Sequence, residues 1–350
     1  MSNQIFMKGN EALGEAAIIA GCRFYFGYPI TPQNEIPAYM SRRLPEVDGT
    51  FLQAESEIAA INMVFGASAA GARVMTSTSS PGMSLKQEGL SYLAGAKLPC
   101  VVVNIMRGGP GLGNIAGAQG DYFQATRGGG NGDYRHIVLT PASVEEMADL
   151  TVLAFDLADE YRITVLILGD GYLGQISEAL TLPEPTGKSF DKPWALTGAK
   201  GRSPNKIASL KLVPDHVLEE MNLSLEKTYQ EVTKKECRHE SYLTDNADFL
   251  IVAYGTSARI CREAVNELRE EGLKVGLFRL ITAWPFPAEA LQLASAGAKK
   301  ILTVEMSLGQ MIEDVKLSIK NPEIVDFYGR SGGMLPEVDE IKKRIKSYGN

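Results

Sequence analysis

The sequence predicts an α/β protein with two domains built on parallel sheets. The chain has 350 residues, more than one compact core usually holds. Short runs that are apolar on both faces alternate with helix-like segments, as is typical of strands buried in a parallel sheet. A charged stretch interrupts this alternation, because 13 of the 36 residues from Lys211 to Asn246 are charged. We therefore predict a first domain over residues 1–180, a charged linker with a helix over 181–246, and a second domain over 247–350.

Each domain shows its own succession of predicted elements. In the first domain these are a helix over 11–21, strands over 24–28 and 50–53, a helix over 57–70, a strand over 73–78, a helix over 82–93, strands over 99–106 and 136–140, a helix over 144–161 and a strand over 163–168. The linker carries a solvated helix over 214–235. In the second domain we predict strands over 248–254, 274–280, 300–305 and 324–328, and helices over 257–271, 287–296 and 309–319.

Charge and hydropathy argue against several classes of protein. The net charge is -7, and an acidic chain without a basic run is a poor candidate for binding nucleic acid or an anionic membrane surface. The longest stretch without a charge, Ile58 to Ala72, has fifteen residues and is too short and too polar to span a bilayer. Glu11 and Glu15 interrupt the N-terminal region, which has no basic segment followed by an apolar core. We therefore expect a cytoplasmic protein.

The segment from Phe51 to Gly130 is unusually poor in charge. Only 9 of its 80 residues are charged, whereas an ordinary domain has about a quarter. Because charged residues are depleted from the cores of protein interfaces, we expect another protein chain to cover much of this face. The alternative is that a central sheet and a glycine-rich loop lower the count by themselves.

Cysteine and histidine are too scattered to predict a local metal site. No cysteine lies within three residues of another, so we expect four reduced thiols, mostly in cores, and no zinc or iron–sulfur site in this chain. No histidine lies in a recognisable nucleophile motif. These residues are Cys22, Cys100, Cys237 and Cys261, and His136, His216 and His239.

A glycine-rich loop follows the predicted strand over 99–106. Residues 107–133 contain ten glycines, and Gly111-x-Gly113-x-x-Ala116 imitates a dinucleotide fingerprint. The fingerprint requires a helix that opens at the glycines, and the residues that follow favour helix poorly. A nicotinamide-dependent dehydrogenase is thus an alternative, and a lid or pocket wall is favoured.

Asp170 lies between two glycines. The asparagine that a thiamine-site magnesium motif needs further along the chain is missing, so we interpret Asp170 as a turn residue.

Two further segments place polar groups at predicted strand ends. Thr31, in Tyr28-Pro-Ile-Thr-Pro, lies where a parallel strand ends and a ligand crevice opens, although the local sequence alone favours a rigid proline-flanked turn. Glu57 begins an apolar helix, where an acidic residue also stabilises the helix dipole without any function.

Taken together, these segments resemble the alpha subunit of the 2-oxoacid:ferredoxin oxidoreductases. The length and detail fit the 2-oxoisovalerate (3-methyl-2-oxobutanoate) member best and the 2-oxoglutarate member second. The matching motifs cover most of the chain in order: Met7-Lys-Gly-Asn-Glu-Ala, Tyr28-Pro-Ile-Thr-Pro, Gln53-Ala-Glu-Ser-Glu, Ser79-Ser-Pro-Gly-Met, Asn104-Ile-Met-Arg-Gly-Gly-Pro, Val252-Ala-Tyr-Gly-Thr-Ser-Ala-Arg, Thr282-Ala-Trp-Pro-Phe-Pro and Val304-Glu-Met-Ser-Leu-Gly-Gln-Met.

The resemblance implies one part of an enzyme with several subunits. It implies a pyrimidine-type thiamine diphosphate domain with a parallel sheet, followed by a transketolase C-terminal-like α/β domain. A beta subunit would hold the diphosphate, its magnesium and an iron–sulfur cluster, a small ferredoxin-like subunit would carry further clusters, and some members add a gamma subunit. The implied reaction decarboxylates a 2-oxoacid oxidatively, forms the acyl-coenzyme A, and passes the electrons to ferredoxin.

The resemblance also implies roles for five residues. Glu57, rather than Glu55, matches the acidic residue whose carboxyl group bonds a ring nitrogen of the cofactor's aminopyrimidine and promotes loss of the thiazolium proton. A carboxyl group in a dry crevice could do this with a raised pKa. Thr31 matches the threonine that contacts substrate and cofactor. Arg107 matches the arginine that binds the substrate carboxylate, a task that its forked guanidinium suits. The turn at Ser79 and Ser80 is a further cofactor contact or ordinary turn chemistry.

Besides the oxidoreductase subunit and the nicotinamide-dependent dehydrogenase, a third alternative is a non-catalytic scaffold subunit on the same fold.

Overall fold

The computed structural model describes residues 4–349. Within that range the chain forms fourteen strands: β1 (Ile5–Lys8), β2 (Phe24–Gly27), β3 (Thr50–Gln53), β4 (Val74–Thr78), β5 (Cys100–Met106), β6 (Ile137–Leu139), β7 (Thr164–Asp170), β8 (Ser177–Leu180), β9 (His239–Tyr242), β10 (Phe249–Tyr254), β11 (Val275–Leu280), β12 (Thr282–Trp284), β13 (Lys300–Glu305) and β14 (Val325–Gly329). Over the same residues there are twelve α-helices: α1 (Gly9–Ile19), α2 (Glu35–Glu46), α3 (Glu57–Ala69), α4 (Ser80–Gly95), α5 (Tyr122–Arg127), α6 (Val144–Tyr161), α7 (Gly171–Gln175), α8 (Val217–Lys235), α9 (Gly255–Glu270), α10 (Ala288–Ala294), α11 (Met311–Ser318) and α12 (Val338–Ser347).

Two mainly parallel sheets organise the chain. Seven strands form the first sheet in the order β12-β6-β7-β5-β4-β2-β3, and all are parallel except β12, which runs antiparallel to β6. The second sheet has the order β14-β13-β10-β11-β9, with β9 as its antiparallel edge. A separate pair, β1 and β8, is antiparallel. The prediction of an α/β fold with parallel sheets is confirmed.

One edge strand of each sheet comes from outside the domain that was predicted to contain that sheet. Strand β9 comes from the segment predicted to be a linker, yet it pairs with β11. Strand β12 follows directly after the second sheet's β11, yet it joins the first sheet, where Thr282 lies opposite Leu139. The segment 181–246 is therefore more than a linker. Neither strand was predicted, because β9 lies in the charged segment and β12 follows directly after β11.

Helix α8 also differs from its prediction. We predicted a solvated helix, and its outward residues are charged and exposed. Its inner face carries Leu225, Tyr229 and Val232, which are buried in the core of the first sheet. The Tyr229 ring also contacts Trp284 edge-on, with ring centroids 5.8 Å apart. A helix with one such apolar stripe is amphipathic and packs on a core.

The core of the molecule explains why the central strands were predicted well. All residues of β5 and β7 are buried, as expected for strands covered on both faces. One apolar cluster continues from the first sheet into the second, joining residues such as Leu166 to Leu250 and Phe278. The two sheets thus share buried surface. Over residues 4–349, none of the helices has both the length and the apolar character needed to cross a membrane.

The sequence did not predict four of the helices, α2, α5, α7 and α12, and two of these, α2 and α12, complete the layers. Helix α2 contains Pro37 and Pro45, residues that usually disfavour helix interiors. Helix α12 is strongly amphipathic, and it buries Ile341 and Ile345 against the outer face of the second sheet.

Arg279 joins the two sheets through ion pairs. It lies on β11 and is 8% exposed. Its two terminal nitrogens donate to the carboxylate of Glu146 on α6 at 2.7 and 2.9 Å, and its Nε donates to Glu240 on β9 at 2.7 Å. Because Glu240 also pairs with Arg262, removing Arg279 leaves chiefly the Glu146 carboxylate without its counter-ion at a mostly buried position.

We expect Arg279→Met to lower the free energy of unfolding by about 3 kcal/mol, because Glu146 and Glu240 then lose their shared cation. The measurement is a denaturant unfolding curve followed by circular dichroism. Lys235→Met is the control, since Lys235 pairs with Glu231 on the exposed surface of α8 at 2.6 Å and should leave the curve unchanged. Equal effects of the two substitutions would contradict this account of Arg279.

Candidate functional site

The sequence-predicted site residues meet at one edge of the first sheet. Strands β5, β4, β2 and β3 are neighbours in that order, and all four are parallel. The loops after their carboxyl ends carry the five predicted residues, which are Arg107, Ser79, Ser80, Thr31 and Glu57. Ligands bind at this edge in open α/β sheets, since the loops after parallel strands converge there.

Glu57 is a buried carboxyl group at the start of α3. The helix is capped by Ser56, whose hydroxyl accepts from the Ala59 amide at 3.2 Å, and Glu57 is 5% exposed. Its carboxyl lies against Gly82 of α4, where a methyl group would come within 2.3 Å of Glu57 Oε1 and 2.1 Å of Thr78 Oγ1. Among residues 4–349 no side chain or amide donates to the Glu57 carboxyl oxygens. A buried acceptor without a donor fits a ligand that brings one.

Lys86 lies one turn after Gly82 on the same helix. Its side chain is fully buried, and its ammonium donates to Thr76 Oγ1 at 3.1 Å and to the backbone carbonyl of Glu57 at 3.4 Å. Burial lowers the pKa of Lys86 from 10.5 to about 8, against the opposing attraction of Glu57. A cation is therefore placed beneath the carboxyl-bearing residue despite the cost of its desolvation.

Arg107 and Thr31 contact each other directly. Arg107 Nη1 donates to the Thr31 carbonyl at 2.9 Å, and Nη2 donates to the Leu112 carbonyl at 3.0 Å. Arg107 is 9% exposed, and its Nε is buried with no acceptor among residues 4–349. A guanidinium has five N–H groups, so three remain available for a carboxylate. The Thr31 hydroxyl accepts from Asn34 at 3.2 Å.

The two serines differ in their surroundings. Ser80 Oγ accepts from the Arg107 amide at 3.0 Å and donates to Asp121 at 2.5 Å, so it holds the backbone that carries Arg107. Ser79 Oγ is buried with no partner in the described part of the chain. Ser79 is therefore the serine with a free hydroxyl for a ligand.

Asp121 is a site residue that the sequence did not predict. Its carboxylate accepts from Ser80 at 2.5 Å and from Asn104 Nδ2 at 2.8 Å. Burial raises the pKa of Asp121, although these hydrogen bonds oppose the rise. The sequence contains one indication that Asp121 is unusual, because Asp121 is one of only nine charged residues in the charge-poor segment.

The glycine-rich loop is fixed to the second sheet. Gln119 is fully buried, its Nε2 donates to the Tyr254 carbonyl at 2.9 Å, and its Oε1 accepts from Ser257 at 2.7 Å and from the Met306 amide at 2.9 Å. Between β5 and α5, which begins at Tyr122, the loop has no helix. The dinucleotide fingerprint thus lacks the helix that it requires. Gln119 thus fixes the later part of the loop to the second sheet.

Asp170 has the turn role that was predicted for it. It caps α7, and its Oδ1 accepts from the amides of Tyr172 and Leu173 at 3.0 and 3.1 Å.

Two known protein families match the sequence. Residues 15–243 match the family described as pyruvate flavodoxin/ferredoxin oxidoreductase, thiamine diphosphate-binding. The chain belongs to this family. Residues 247–341 match the pyruvate:ferredoxin oxidoreductase core domain II.

Known proteins of this family and fold are similar over most of the chain. The ketoisovalerate oxidoreductase subunit VorB of Methanothermobacter marburgensis is 50% identical over 97% of this chain and 96% of its own length. The 2-oxoglutarate:ferredoxin oxidoreductase of Magnetococcus marinus, solved with 2-oxoglutarate, coenzyme A and succinyl-CoA bound, has a TM-score of 0.89 and 30% identity. It matches 100% of this chain, which spans 66% of that longer one. A split-gene transketolase, solved as an inactive tetramer, matches in fold alone, with a TM-score of 0.59 and 14% identity.

These similarities confirm the predicted family, a class of 2-oxoacid:ferredoxin oxidoreductase subunits, and the predicted thiamine diphosphate-binding, transketolase-like fold. They favour that class over a nicotinamide-dependent dehydrogenase. The roles of individual site residues stay predictions.

Lys86 should make stability depend on pH. Between about pH 8 and 10.5 the folded protein has lost the Lys86 proton while the unfolded chain still binds it, so stability rises with pH in this window. From pH 8 to pH 10.5, the free energy of unfolding of the wild type should increase by about 3 kcal/mol relative to that of Lys86→Met. Below pH 8 the folded and unfolded states both keep the Lys86 proton, so the difference in free energy of unfolding between the two proteins should be constant.

Denaturant unfolding of both proteins at several pH values measures this difference. The control is Lys234→Met, which removes an exposed lysine of α8 and should leave the pH dependence unchanged. Parallel curves for wild type and Lys86→Met would show that Lys86 titrates alike in the folded and unfolded states.

Proposed function

We propose that this chain supplies the pyrimidine side of a thiamine diphosphate site in a multi-subunit 2-oxoacid:ferredoxin oxidoreductase. The observation that carries the proposal is the buried carboxyl of Glu57, which lies against Gly82 and has no donor among residues 4–349. Thr31 and Arg107 lie at the same sheet edge and contact each other. The arrangement offers an acceptor for a ring nitrogen beside a cation for a carboxylate.

The residues present fit the cofactor and substrate. Two buried polar atoms at this edge, Ser79 Oγ and Arg107 Nε, lack partners in the described chain, and the carboxyl of the buried Glu57 lies at the same edge. When bound, thiamine diphosphate supplies the nucleophilic carbon that attacks the 2-oxoacid carbonyl. Glu57 holds the proton shared with the aminopyrimidine nitrogen, and Arg107 binds the substrate carboxylate. Thr31 contacts both, while Ser79 and Ser80 border the cofactor.

Partner subunits complete the site. Several large apolar side chains of the charge-poor segment are exposed, which favours a covering chain over a solvated surface: Leu52, Ile58, Leu85, Tyr92, Leu112 and Ile115. Ile58 adjoins Glu57, so the covering chain would close the cofactor site.

We assign the diphosphate, magnesium and an iron–sulfur cluster to a beta subunit, and further clusters to a ferredoxin-like subunit, with a gamma subunit in some assemblies. The four cysteines, all free thiols in the described chain, accord with this division and with a cytoplasmic location.

The favoured substrate is 2-oxoisovalerate (3-methyl-2-oxobutanoate), converted to its acyl-coenzyme A and carbon dioxide with electrons passed to ferredoxin. The ketoisovalerate oxidoreductase subunit VorB is 50% identical to this chain, whereas 2-oxoglutarate synthase subunits KorA are 35% to 39% identical. The alternative substrate is 2-oxoglutarate.

Glu57→Gln should lower kcat in the assembled complex by about 10²- to 10⁴-fold, because the amide cannot hold the proton that the carboxyl shares with the cofactor. Viologen-dye reduction with 2-oxoisovalerate and coenzyme A measures the rate. Glu55→Gln is the matched control, since Glu55 lies two residues away and is exposed. Near-normal activity of Glu57→Gln would favour a scaffold function.

The isolated chain should be inactive, and reconstitution with its beta and ferredoxin-like partners should restore dye reduction that requires thiamine diphosphate. A panel of 2-oxoacids then ranks the substrates by kcat/KM, with 2-oxoisovalerate expected above 2-oxoglutarate. Turnover by the isolated chain with NAD would defeat the proposal.

A further inference from the structure

A cavity of about 500 Å³ opens beside Thr31. Segments before α2, within the glycine-rich loop and around α7 form its walls. Its lining residues are Thr31, Pro32, Asn34, Glu35, Ile115, Ala116, Gly117, Gly171, Tyr172, Gln175 and Ile176.

This cavity adjoins the proposed carboxylate site. Thr31 forms part of its wall and accepts from Arg107 Nη1 through its carbonyl at 2.9 Å. Gly117, another lining residue, forms a backbone bridge with Arg107. A substrate whose carboxylate lies on the Arg107 guanidinium would therefore have the cavity within reach of the rest of its carbon chain.

The lining favours an apolar group. Its carbon-rich surface comes from Pro32, Ile115, Ala116, Tyr172 and Ile176. Ile115 is 64% exposed, so its side chain remains available for contact with a ligand. No lining residue carries a positive charge that could pair with a second carboxylate.

Glu35 adds a negative charge to the lining. Its carboxylate accepts from Asn10 and from Gln175, both at 2.8 Å, and pairs with Lys8 at 3.3 Å. Burial raises the pKa of Glu35, but these three donors outweigh that effect and lower it overall. A carboxylate entering the cavity would meet this like charge, and the neighbouring cation, Lys8, is already paired with Glu35.

We propose that the cavity is the subsite for the substrate side chain, and that its apolar lining and Glu35 select a branched aliphatic 2-oxoacid over one with a second carboxylate. The inference rests on the proposed function and names the side-chain class that the site takes. Its consequence is that charge at the cavity, rather than at Arg107, determines the choice between 2-oxoisovalerate and 2-oxoglutarate.

Two substitutions in the reconstituted complex test the subsite. Ile115→Lys places a cation at an exposed lining position, and Glu35→Gln removes the negative charge while retaining an acceptor for Asn10. Each should lower the ratio of kcat/KM for 2-oxoisovalerate to that for 2-oxoglutarate by about tenfold or more. Dye reduction with each substrate measures the ratio.

Matched substitutions outside the cavity are the controls. Leu293→Lys introduces the same charge at an exposed position of α10, and Glu184→Gln removes an exposed carboxylate. Both should leave the ratio unchanged. Glu35→Gln is nearly isosteric, so it remains informative if the Ile115→Lys chain fails to assemble.

The outcomes separate the subsite from the proposed function. If the wild-type complex oxidises 2-oxoacids but Ile115→Lys and Glu35→Gln alter both substrates by the same factor, the subsite proposal is overturned and the proposed function stands. If the wild-type complex oxidises no 2-oxoacid, the proposed function itself fails. A shift of the ratio toward 2-oxoglutarate in the cavity variants alone supports the subsite.

Discussion

A buried carboxyl group needs room and nearby positive charge, and the elements around Glu57 provide both. Position 82 has no side chain, so α4 approaches the start of α3 closely enough to enclose the carboxyl. One turn later Lys86 brings an ammonium beneath the same residue and donates to its carbonyl. The Ser56 cap fixes where α3 begins. These contacts hold an acceptor at the edge of the sheet where Thr31 and Arg107 also lie.

The second sheet supports this edge although it contributes none of the five predicted site residues. Gln119 fixes the glycine-rich loop to Tyr254, Ser257 and Met306. Asp314 of α11 accepts from Tyr122 at 2.6 Å, just beyond the same loop. These contacts hold the carboxyl-terminal end of the loop, and at its start the Ser80 hydroxyl accepts from the Arg107 amide. Permissive glycines therefore give the loop its path, and buried hydrogen bonds give it rigidity.

An incomplete site explains several features together. In an isolated chain, the exposed apolar side chains of the charge-poor segment and the unpartnered polar groups of the site cost free energy. If another subunit covers this edge and brings the rest of the cofactor site, the apolar side chains are buried and the polar groups gain partners. The family relationship accords with this account, because similar chains are named as oxidoreductase subunits.

By itself, the sequence determined the fold class, the family and the central strands, because continuously apolar runs such as β5 and β7 can be buried only in a covered sheet. Through the motifs that carry the family resemblance, it also predicted Glu57, Thr31 and Arg107 as site residues. Only the tertiary structure decided that β9 and β12 pair outside their expected units, that Asp121 supports Ser80, and that Lys86 lies under Glu57. These features join residues that are distant along the chain, and a local sequence pattern shows neither the partner of an edge strand nor the surroundings of a single buried charge.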